Sequence, residues 1–126
     1  MLKSFGLSLL MGCSMVGGAG TDVPVVDFCE LDRTPRPEEV TIFAVVETDN
    51  HHGMFIGSDK CSSKLRIGTG SVIPEKSVER FMSHVNDGQY LTWRKYSGQF
   101  SGHITSRDGS EVRFELSRVH WFRDEK

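Results

Sequence analysis

The sequence predicts a mainly β domain in which five strands close a Greek-key barrel and a helix stands between the third and fourth strands. Three observations carry this reading. Val40 to Val46, VTIFAVV, is apolar or β-branched on both faces, the composition of a strand covered on each side. Asp49-Asn50-His51-His52-Gly53 follows, a run that tolerates left-handed backbone angles and ends in glycine, as a hairpin loop requires. Further on, Val78, Phe81, Met82 and Val85 recur at i, i+3, i+4 and i+7, one apolar stripe of a helix.

The other elements fall around these. Val25 to Leu31 reads as a short strand or helical turn bearing Cys29, and Thr34-Pro35-Arg36-Pro37 cannot continue a helix and feeds extended chain into the first barrel strand. Met54-Phe55-Ile56 is the return strand, closed by a turn at Ser58-Asp59-Lys60. Lys64 to Gly70 alternates as a third strand. Pro74 and Glu75 suit the first turn of the helix, which ends near Asn86-Asp87-Gly88. Gln89 to Ser101 reads as a long strand bent at Gly98, and Asp108-Gly109 marks a hairpin turn. Val112, Phe114 and Leu116 then share a face, whereas Val119 and Trp121 continue in the opposite phase, so a bulge is expected near Ser117-Arg118. Three strands, a helix and two strands in this order are the element order of the OB-fold.

Composition places the chain among ordinary globular proteins: 126 residues, 25% charged, 37% hydrophobic and a net charge of −2. That charge names no partner, and the weak basic surplus beyond His51 reads as solvated surface, which disfavours nucleic acid. The first twenty residues, one lysine followed by an apolar run and small residues, have the layout of a secretory leader. Two cleavages are open. One follows Ala19 or Gly20. The other uses Leu10-Met11-Gly12-Cys13, which resembles a lipobox and makes Cys13 a lipidated N-terminus. Residues 14–24 are then a glycine-rich flexible tether and residues 25–126 the OB-like domain.

Cysteine arithmetic favours the second cleavage. Three cysteines are awkward in an oxidising compartment, but a lipidated Cys13 and a Cys29–Cys61 disulfide leave none over. The expected location is a membrane-anchored lipoprotein facing the periplasm, with Ser14 after the cysteine pointing to an outer membrane; a soluble periplasmic or secreted protein is the alternative.

The residues that carry candidate chemistry are few. His51 and His52 are weak candidates for a metal, since a polar turn explains both, and no metal or other cofactor is assigned. His84, His103 and His120 lack ligand spacing. A Cys61 nucleophile served by His52 competes with the disulfide. Tyr90, Arg94 and Tyr96 fall on one face of the expected fourth strand and form a candidate ligand surface of aromatic and cationic side chains.

The chain also resembles a group of small bacterial exported proteins with OB-like domains. Cys29, the valine-rich strand around Val45, His52-Gly53, the segment Ser58 to Cys61, Gly98-Gln99-Phe100-Ser101-Gly102 and the final strand Phe114 to Val119 carry the likeness. It departs at Thr34 to Glu39, where a Tyr-x-Gly-Lys turn is usual. The resemblance implies an architecture and no activity. The expectation is an exported, non-catalytic module that binds or supports an envelope component, a glycan or a protein. A small periplasmic metal-binding protein or enzyme using the His51–Cys61 loop is the alternative.

Overall fold

The structure is a computed structural model that describes residues 23–69, 74–88, 90–109 and 111–125. The expected leader, the lipidation site Cys13 and most of the tether lie outside the described residues. In chain order the elements are β1 (Val25–Asp27), a single 3-10 turn (Phe28–Glu30), β2 (Val40–Thr48), β3 (Met54–Ser58), β4 (Cys61–Gly68), α1 (Lys76–Asn86), β5 (Arg94–Arg107) and β6 (Glu111–Asp124).

All six strands belong to one mixed sheet. β2 pairs with β3, β3 with β4, β4 with β6, β6 with β5, and β5 returns to β2, so five strands form a closed ring. The β4–β6 pairing is parallel and the other four are antiparallel. The sixth strand, β1, lies parallel to β2 from Val25↔Thr41 to Asp27↔Phe43. The mainly β expectation holds, and the sheet gains a strand over the five expected. Val25 to Leu31 makes both forms the sequence allowed, a strand and then a turn.

The core follows the period of the strands. Ile42, Ala44 and Val46 of β2 point inward against Ile56, Leu65, Ile67, Phe100, Ile104 and Phe114. The outer face of β2 is not wholly covered, since Phe43 is 57% exposed. Its apolar character on both faces therefore does not mean burial on both.

α1 starts where Glu75 caps it, accepting from the Ser77 N–H at 2.9 Å. Its stripe buries Val78, Phe81 and Val85, with Met82 half-buried. The Ser77 hydroxyl also accepts from the Val119 N–H at 2.9 Å, which fixes the helix on β6.

Two bulges shape β6. Pairing passes from Phe100↔Val119 and Ser101↔Arg118 to Gly102↔Leu116, leaving Ser117 extra, and from Gln99↔Trp121 to Phe100↔Val119, leaving His120 extra. The expected bulge is thus joined by a second. It turns Trp121 out, at 43% exposed, and Phe122 in.

β5 also departs from expectation. It begins at Arg94 rather than Gln89, and Gly98 leaves its pairing unbroken. Gly98 and Gly102 instead let β6 come close. A Cβ at Gly102 would lie 2.2 Å from the Glu115 carbonyl oxygen and 2.6 Å from the Phe114 ring. Gly102→Ala is expected to cost about 1–3 kcal/mol as overpacking, read from urea denaturation. A cost near zero would mean that β6 can move away.

Candidate functional site

The two ends of the β2–β3 hairpin loop approach the connection that leads from α1 into β5. Asp49 begins the loop and is only 2% exposed. Its carboxylate accepts from the N–H groups of His51 at 2.9 Å and His52 at 2.7 Å, and lies 2.5 Å from His52 Nδ1. The Asp49 carbonyl accepts from the Leu91 N–H at 2.8 Å. Asn50 takes the left-handed conformation, φ 62°, and its side-chain amide donates to the Val85 carbonyl at 3.2 Å. The Thr48 hydroxyl donates to the Gly53 carbonyl at 2.7 Å and closes the loop from within. The loop is therefore tied both to the helix end and to the chain entering β5.

Two opposing effects set the Asp49 carboxyl. Burial works to raise its pKa, but hydrogen bonds from the His52 ring and from the backbone of His52 and His51, together with the charge of His52, outweigh burial and lower it to about 2. Its ordinary value is 3.8. Because the folded value lies below the unfolded one, the stability contributed by Asp49 is complete above the unfolded value and is lost as pH falls through the folded one. Asp49→Asn is expected to flatten the fall in melting temperature between pH 5 and pH 2, values read from the shift just given. A variant with the wild-type acid limb would show that the loop does not contribute to it.

His51 points toward Tyr90, with its Nδ1 2.6 Å from the phenol oxygen. The two histidine rings stand edge to face at 4.4 Å between centroids. A cavity of about 560 Å³ opens beside them, lined by Asn50, His51, Asn86 and Tyr90 among others. Tyr90, Leu91 and Trp93 are 52–61% exposed. Trp93 lies 6.4 Å from the Phe55 ring, and the Arg66 guanidinium sits 4.9 Å over that same ring. This end of the molecule thus presents aromatic faces with a cation among them.

The candidate ligand surface is only partly assembled. Tyr90 is exposed in the turn and Arg94 is exposed at the start of β5, whereas Tyr96 is 1% exposed and packs in the core against Phe81. Burial raises the Tyr96 phenol above its ordinary value of 10.0, with Arg94 opposing. Tyr96 is therefore removed from the surface. Counting alternation back from it put Tyr90 on the same strand face, but Leu91 is left-handed, φ 65°, and the alternation stops there.

Phe55, Arg66 and Trp93 are the members that sequence reasoning missed. Alternation along an extended strand puts Trp93 on the face opposite Arg94 and Tyr96. The pairing of Phe55 with Arg66 across β3 and β4 follows only from the register.

Cys29 and Cys61 form the disulfide, with Cα atoms 5.9 Å apart. Cys61 therefore has no thiolate to offer, which overturns the nucleophile reading. Among the described residues no group of three or more His, Cys, Asp or Glu is placed to hold a metal ion. His84 pairs with Asp124 at 2.6 Å and His120 with the buried Ser101 hydroxyl at 2.7 Å. A second surface, on the outer face of β2, holds Phe43 and Trp121 beside a groove of about 460 Å³.

No protein-family model matches the chain, and no curated protein or solved structure matches it.

Proposed function

We propose that the protein is an exported, non-catalytic module of the OB class that binds an envelope component, a glycan or a protein, through the first hairpin and the connection into β5. The observation that carries this reading is the exposed pair Tyr90 and Trp93, with the half-buried Phe55 beside Trp93 and Arg66 over the Phe55 ring. OB domains use the loop after their first barrel strand and the face of the next two strands to bind extended ligands. Taking β2 to β6 as the five barrel strands, Phe55 and Arg66 lie on the second and third of them, and Tyr90, from the connection into β5, contacts His51 of the loop after the first. The ring order and the helix between β4 and β5 support the class. The disulfide fits an oxidising compartment, as export requires. Lipid attachment at Cys13 and the family resemblance belong to the same reading and rest on the sequence.

Tyr90→Ala with Trp93→Ala tests it, since both side chains are half or more exposed. The pair is expected to change stability by only about 0.5 kcal/mol per site. Retention of envelope glycans and proteins on the immobilised full chain should fall at least tenfold. Equal retention by wild type and variant would overturn the assignment of this surface. Intact mass after membrane extraction checks the lipid.

A further inference from the structure

The loop histidines share an arrangement that a polar turn does not require. Each has its Nδ1 engaged by a side chain, His52 by the Asp49 carboxylate at 2.5 Å and His51 by the Tyr90 phenol at 2.6 Å. When Nδ1–H donates to such a partner, the lone pair of Nε2 is left free, and metal-bound histidines are held in this way. The Asp49 contact fixes that tautomer for His52, because an ionised carboxylate can only accept. For His51 the same tautomer follows when the phenol oxygen accepts.

The rings are also close enough to share an ion. With metal–nitrogen bonds of about 2.0–2.1 Å, two imidazoles at right angles on one ion, as Cu(II) takes them, place their centroids roughly 4.5 Å apart, against roughly 5 Å at the tetrahedral angle of Zn(II). Here the separation is 4.4 Å. The backbone that carries them is held by the two N–H bonds to Asp49, by Asn50 on the helix end and by Leu91 on the Asp49 carbonyl. Both side chains are exposed, so water can fill the other coordination positions.

We propose that His51 and His52 form an open two-imidazole site for a borderline divalent transition metal. Cu(II) binds most tightly and Zn(II) less so, in the usual order for nitrogen donors. The site has fewer protein ligands than a closed structural site, so it leaves positions for a second ligand. It does not depend on the envelope ligand proposed above.

The experiment is a titration of the tag-free full chain with Cu(II), followed by imidazole proton resonances and by electron paramagnetic resonance. The expected result is one equivalent bound, with His51 and His52 resonances broadened before those of His84, His103 and His120. The Cu(II) spectrum should carry coupling to two nitrogens. His51→Ala with His52→Ala should abolish that equivalent, and Tyr90→Phe should weaken it about 10- to 100-fold, as loss of an orienting partner does. Equal binding by the double variant, or broadening that begins at another histidine, would overturn the proposal. The resonance measurement needs no variant and decides the matter even where a substitution disturbs the loop.

Discussion

Replacing both Cys29 and Cys61 with serine is expected to lower the unfolding free energy by about 3.5–4 kcal/mol, the chain-entropy value for a closed loop of this length. The cysteines are 32 residues apart in sequence, and the bond joins the 3-10 turn to the first residue of β4. In the unfolded chain the link restricts everything between them, including all of β2 and β3. In the folded chain it also holds Phe28, 1% exposed, against the sheet. Urea denaturation with and without reductant measures the effect. For a domain of this size such a loss is a large share of the total stability. A loss below about 1 kcal/mol would show that the unfolded chain already keeps the two segments together.

Phe81→Ala is the second substitution of comparable size, with an expected cost of about 3–5 kcal/mol. Phe81 is fully buried and meets three aromatic rings, Tyr96 at 6.0 Å, Phe100 at 5.5 Å and Phe122 at 4.9 Å. Two come from β5 and one from β6, so this side chain is the main attachment of α1 to the ring. Truncation leaves a cavity that rigid strands on a closed ring cannot collapse to fill. Met82→Ala, on the same helix but half-buried, should cost clearly less under the same denaturant series. If the two variants lost the same amount, the packing of the helix would not be centred on Phe81.

The hairpin, the helix and the disulfide were legible because each is encoded locally or by a scarce residue. Asp49 to Gly53 has turn chemistry wherever it stands, the α1 stripe has its own period, and Cys61 had one partner outside the leader. The rest depended on contacts across the sheet. Leu91 leaves the extended conformation where its N–H meets the Asp49 carbonyl, so the start of β5 is set by a residue 42 positions earlier. That shift breaks the alternation between Tyr90 and Tyr96, and Tyr96, one of the three residues of the expected surface, lies in the core. His120 shows the same limit in β6. One unpaired residue reverses which side chains face inward, and nothing in the residues Val119 to Phe122 distinguishes that phase from its opposite. The burial of Asp49 comes from the elements packed around it, and its place in a turn sequence does not reveal it.

The position of the disulfide also determines how the molecule responds to mechanical load. Tension entering from the N-terminal side would first peel β1 away from β2, a contact of three residue pairs. At Cys29 the force crosses through sulfur to Cys61. The intervening polypeptide, with its first two ring strands, carries none of it, and the load passes to β4 and its parallel seam with β6.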